Sequence, residues 1–286
     1  MVLRTLKRSL IDLKANRPPA LAARRHPRAL VFVHVPKCAG SSVEAALRRA
    51  RPLGRRLIGP DETFEAARRL LGVEETADPE AQHRVLMRAS EMRRDLLHLH
   101  LAEGARLVTG HAPLGPHTLD LPDTDFVTVL RSPRARLRSH IAFNASPKAG
   151  HGATTLTAAR FVETPRAQVM GALYVKYFSG LPMSADLTTQ GAIDAARRVV
   201  DRLALVGFTD DMAGFAAGLS GLMGRRVRIG HENQAAAPPR LPDALSDRIH
   251  ALCAPDEAVY AHARARFGER RHAVRPGEAS EGTPPR

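Results

Sequence analysis

"LVFVHVPKCAGSSVEAALRR", residues 30–49, reads as an apolar strand, a small basic turn and the start of a helix. Such a passage presents several backbone N–H groups at a helix N-terminus, a ready site for an anion. Gly40 lets the backbone approach a ligand closely, Ser41 and Ser42 add hydroxyl donors, and Lys37 brings a mobile positive charge. The place of that lysine selects the anion. The triphosphate-binding pattern G-x-x-x-x-G-K-[ST] needs a first glycine, which is missing, and a lysine after the second glycine, whereas Lys37 stands three positions before Gly40.

Working outward, short β-branched runs recur at Leu107 to Thr109, Phe126 to Leu130 and Leu205 to Phe208. Between them, Thr63 to Leu71, Glu80 to His100, Ile193 to Leu203 and Asp211 to Met223 carry apolar residues at three- and four-residue spacing. The alternation predicts an α/β fold of three layers, P-loop-like, with a central, mainly parallel sheet flanked by helices. The expected domain spans 29–268. Before it, 1–28 reads as a basic N-terminal segment and linker; after it, the polar, Pro/Gly-rich 269–286 reads as a disordered tail, and 144–155 as a mobile loop.

Composition narrows the partners. The 286 residues suffice for one large domain, and 43 Lys and Arg against 29 Asp and Glu give a formal charge of +14. A polyanionic partner is favoured, although arginine- and alanine-rich composition itself supplies part of the excess. Nucleic acid fares poorly, because there is no tryptophan, there are three tyrosines, and no basic stretch is interleaved with stacking aromatics. Cys38 and Cys253 cannot build a disulfide framework, and no Asp/Glu/His cluster suggests a metal. No run of eighteen apolar residues occurs and the N-terminus lacks a secretory signal, so a cytoplasmic chain is expected. Residues 3 to 14 alternate Leu/Ile with Lys/Arg, which allows a peripheral membrane contact.

A candidate base stands in "ARLVTGHAPLGPH", residues 105–117. His111 lies just past a strand end, the side of a parallel sheet that faces a ligand crevice, and its ordinary pKa suits proton transfer near neutrality. His98 and His100 have no such company, His140 is read as structural, His34 sits within or at the end of an apolar strand where packing and a backbone partner explain it as well as a role in the site does, and Cys38 reads as a filler or passive donor.

"HVPKCAGSS", His34 to Ser42, closely resembles the 5′-phosphosulfate loop of sulfotransferases that use 3′-phosphoadenosine 5′-phosphosulfate (PAPS), in the carbohydrate branch whose loop reads like "HIPKTAGTS". The resemblance implies that Pro36, Lys37, Cys38, Ala39, Gly40, Ser41 and Ser42 hold the 5′ end of the donor, with Lys37 stabilising the leaving group. "FVTVLRSPRARLRSHIAF", residues 126–143, is similar to the 3′-phosphate element of that family: a strand ending in arginine, then proline, then a helix with serine eight residues after the arginine. Arg131 and Ser139 have that spacing; Ser132 stands where the family usually carries Asp or Asn. By the same resemblance His111 takes the proton from the acceptor hydroxyl. Arg134, Arg136 and Arg138 are read as a charged helix face with at least one solvated member.

Looser matches follow in "YVKYFSG" (174–180), "LALVGFTDDMAGFAAGLSGLMG" (203–224) and "HENQAAAPPRLPDAL" (231–245). The expectation is a sulfotransferase acting on a hydroxyl of a glycan or glycolipid, with PAPS as co-substrate and no metal. Two rivals stand beside it. A nucleotide-dependent kinase of related fold would want the lysine after the glycine and an acidic residue at a strand end. A non-catalytic binder of anionic glycans would tolerate loss of Lys37 or His111.

Overall fold

The computed structural model describes residues 28–74, 78–145, 154, 156–230 and 243–268. Five strands, β1 (Ala29–Val33), β2 (Arg55–Ile58), β3 (Leu107–Gly110), β4 (Thr124–Leu130) and β5 (Leu205–Phe208), form one sheet in the order β2-β3-β1-β4-β5. Each adjacent pair is parallel. The helices are α1 (Gly40–Ala50), α2 (Pro60–Leu71), α3 (Pro79–Ala102), α4 (Pro133–Asn144), α5 (Ala158–Phe161), α6 (Pro165–Gly171), α7 (Leu173–Phe178), α8 (Gln190–Asp201), α9 (Met212–Met223) and α10 (Asp243–Phe267).

Side chains alternate across a strand, so β1 feeds two cores at once. Leu30 and Phe32 pack with Val43 and Leu47 of α1 and with Phe215 and Leu219 of α9. Val31 and Val33 point to the opposite face and join Leu137 of α4, Tyr174 of α7, Val199 of α8 and Ile249 of α10. A central, parallel sheet flanked by helices is therefore the observed α/β architecture. No helix among the described residues is long and apolar enough to cross a membrane.

The strand β2 carries no apolar run, and its pattern Arg-Arg-Leu-Ile was not legible as a strand. It is an edge strand whose Leu57 is 51% exposed, so only Ile58 had to be apolar for burial. β1 stops at Val33 and not at Val35, which puts His34 past the strand, at the base of the loop. Residues 1–27, most of the 144–155 loop, 231–242 and the 269–286 tail lie outside the described residues.

Candidate active site

Val33 of β1 pairs in register with Gly110 of β3 on one side and with Thr128 of β4 on the other. The loops that leave these three strands therefore start side by side. From β1 the chain passes to β2 on one side of the sheet, whereas from β4 it passes to β5 on the other. Two neighbouring strands whose connections diverge open a crevice at their carboxyl ends, the usual ligand position in such sheets. Lys37, Arg131 and His111 all stand at this end.

The loop after β1 has an alternating backbone. Lys37 (φ 66°) and Ala39 (φ 58°) are left-handed, and Cys38 between them is not. Alternation of this kind turns successive N–H groups toward one side, a concavity suited to an anion. Ala39 O accepts from the N–H groups of Ser42 and Val43, while those of Gly40 and Ser41 lie at the open start of α1, whose first turn holds no acidic residue. Ser41 is exposed and Ser42 buried.

Gly40 is required by its neighbour. A Cβ there would lie 1.9 Å from Cδ2 of His34, whose ring covers the helix start. Gly40→Ala is expected to displace that ring and to lower stability by about 1–3 kcal/mol, measurable by urea denaturation.

Two cations face the crevice. The Lys37 ammonium rests 4.0 Å from the centroid of Phe143 on α4. Its pKa is lowered, first by burial and then by the positive charge of Arg131. Among the described residues no carboxylate is paired with either group. Two like charges held together with no counter-ion favour an incoming anion. Ser139 lies one turn before Phe143 on α4, so the two share a face. The structure thus brings Lys37 and Arg131 together and relates Ser139 to them through the helix, without a bond between Arg131 and Ser139 among the described residues.

A tyrosine that sequence reasoning did not single out joins the loop to the strand end. The Tyr174 hydroxyl donates to the carbonyl of Arg131, accepts from the Arg131 N–H at 2.9 Å and lies 3.5 Å from Sγ of Cys38. Cys38 is buried, and burial pushes its thiol pKa up, which disfavours the thiolate a nucleophile needs. Tyr174 is itself fixed from behind. Its N–H and that of Val175 donate to the carboxylate of Asp256 on α10, which also accepts from Arg136 at 3.0 Å.

For Arg136 this overturns the reading of the arginines on α4 as a charged surface face, whereas Arg134 is the exposed member expected. Arg136 has no exposed surface; it also donates to the carbonyl of Met170, and its guanidinium lies 5.1 Å from the centre of the Tyr174 ring. The alternating arginines all turn toward α10, Arg134 pairing with Glu257 at a solvated edge and Arg138 donating to Ser246. Burial pushes the Asp256 carboxyl up, and the guanidinium and the two N–H groups oppose that push. His140 is structural as expected: it is buried beside Phe161, and burial holds its ring well below the usual histidine range.

His111 follows Gly110, whose φ of 148° and closeness to Ile58 O, 2.4 Å from where a Cβ would sit, admit only glycine. His111 Nδ1 lies 2.6 Å from the carbonyl of His34. A carbonyl only accepts, so Nδ1 carries the proton and Nε2 is the basic nitrogen of the neutral ring. The His34 ring packs 4.3 Å from that of His111, with its own Nδ1 3.5 Å from Glu44. His34 is structural in a specific sense: its backbone sets the His111 tautomer and its ring sets the His111 position. His98 and His100 lie on α3, the first bonded to Thr118, away from these groups.

Comparison of the chain with models of known protein families and with curated proteins found no match.

Proposed function

We propose that this chain is a sulfotransferase that moves the sulfuryl group of PAPS to an acceptor hydroxyl. The observation that carries the reading is the meeting of three separately recognised sequence elements, at Lys37, His111 and Arg131, on the carboxyl ends of three neighbouring strands. The order β2-β3-β1-β4-β5, with the anion loop after the central β1, also favours a P-loop-like fold.

The residues fit the donor. The loop from Pro36 to Ser42 offers N–H groups and hydroxyls to the 5′ end, and among the described residues no acid pairs with the cations Lys37 and Arg131. Arg131 and Ser139 take the 3′-phosphate, for which a guanidinium fork is well shaped. When bound, PAPS supplies a sulfuryl group on a good phosphate leaving group.

His111 Nε2 receives the proton of the acceptor O–H while the acceptor oxygen bonds to sulfur. The bond from sulfur to the bridging phosphate oxygen breaks, and its electron pair departs with adenosine 3′,5′-bisphosphate. Lys37 meets the charge that grows on that oxygen. Tyr174 holds the lysine loop against Arg131, so the two anion-binding groups keep their separation. The acceptor is a hydroxyl of a glycan or glycolipid, the class to which the basic balance and the loop resemblance both point.

The test is incubation of the full chain with sulfur-labelled PAPS and a panel of glycans, glycolipids and small alcohols. Labelled product supports the proposal. No transfer, with no thermal stabilisation by adenosine 3′,5′-bisphosphate, sinks it. Lys37→Ala is expected to lower kcat by about 10²–10³-fold with a small change in the KM for PAPS, as for loss of one preorganised transition-state donor. A binder of anionic glycans with no catalytic role would show no transfer to lose.

A further inference from the structure

A second concavity lies apart from the strand ends. A cleft of about 980 Å³ opens between α3, α6, the 183–188 loop and α10, and neither Lys37, His111, Arg131 nor Ser139 lines it. That size suits a small organic ligand. Its apolar wall is formed by Met87, Val169, Met183, Leu187 and Leu252.

The rest of the lining sets His83, Arg84, Arg88 and Arg248 beside Glu91 and Asp186, and two further cations, Arg94 and Lys176, lie outside the lining. His83 lines the cleft, and its Nδ1 is buried with no hydrogen-bond partner among the described residues. Arg94, on the same helix, donates through Nη2 to the carbonyl of Leu181, yet its buried Nε has no partner there either. On α7, Lys176 lies one turn beyond Ala172, a residue of the cleft lining, and is only 3% exposed.

The charged groups that bear on Lys176 are Arg93 and Arg94, and it acts in turn on His83. None of these is an acid. Burial and those cations push the Lys176 pKa down to about 7. The acids at the cleft are engaged by its own lining: Glu91 pairs with Arg88, Glu163 with Arg248, and Asp186 accepts from Thr188. A buried lysine whose charged neighbours among the described residues are cations disfavours the folded state, and a bound anion would relieve that.

We propose that this cleft binds an amphipathic anion, its acidic head at His83, attracted by the nearby cations Lys176 and Arg94 that lie outside the lining, and its apolar body along Met87, Met183, Leu187 and Leu252. The site stands whether or not the chain transfers sulfuryl groups, since it shares no residue with the strand-end crevice.

Calorimetric titration of the full chain with dodecanoate tests it, with dodecanol as the headless probe and sodium sulfate as the tailless one. Dodecanoate is expected to bind one per chain, and each of the others at least about tenfold more weakly. Lys176→Met keeps the side-chain length and removes the buried charge. It is expected to raise the thermal midpoint while weakening dodecanoate at least about tenfold. His83→Phe, which leaves the lysine in place, is the second variant and is expected to weaken dodecanoate as well. No dodecanoate binding, equal binding of dodecanol, or unchanged affinity in both variants would overturn the proposal.

Discussion

His111→Ala is expected to lower kcat for sulfuryl transfer by about 10²–10⁴-fold, the range for loss of a positioned general base, while adenosine 3′,5′-bisphosphate binds as before. The proposed base and the proposed donor-binding groups come from different strands. Nδ1 of His111 is committed to the His34 carbonyl, so the lost function is that of Nε2 alone. The rate is to be measured across pH with labelled PAPS. Its pH profile should change in the variant, in which the His34 ring, 4.3 Å away at the same strand end in the wild-type chain, remains. A variant that keeps both its rate and its pH profile would remove His111 from the reaction.

The second large effect falls on stability. Asp256→Ala is expected to reduce the free energy of unfolding by about 3–5 kcal/mol, read from urea denaturation, because it leaves Arg136 charged and unpaired in the core. It also deprives the N–H groups of Tyr174 and Val175 of their acceptor. Asp256→Asn retains an acceptor for those groups and should lose less. Since Tyr174 bridges Cys38 and Arg131, the alanine variant should also bind adenosine 3′,5′-bisphosphate more weakly, although Asp256 touches no part of the proposed donor site. Equal stability of the alanine variant and the wild-type chain would show that the pair is replaceable.

Much of this arrangement was legible in the sequence because it obeys local rules. The runs that became β1, β3, β4 and β5 are apolar since their strands are covered by helices or lie at the sheet centre, and the lysine loop and Gly110 declare themselves through small residues at turns. β2 escaped because an exposed edge needs little apolar content. Arg136 was misread for a different reason. An arginine between two others on a helix looks solvated unless its partner is known, and that partner lies 120 residues away. Tyr174 was visible as part of an apolar helix, but nothing local says that its hydroxyl reaches Arg131. Asp256 follows Pro255 between the buried Cys253 and Val259, and an acid in such company is the one hint the chain carried.

The position of Asp256 has a consequence for biosynthesis. The lysine loop, the His111 turn and Arg131 all emerge from the ribosome well before α10, which supplies the counter-charge that seats Arg136 and anchors Tyr174. A nascent chain that already holds every residue facing the crevice therefore still lacks the brace that fixes their spacing. That brace arrives only with α10, the last helix among the described residues, so a nascent chain that stops before it lacks the partner of Arg136 and Tyr174.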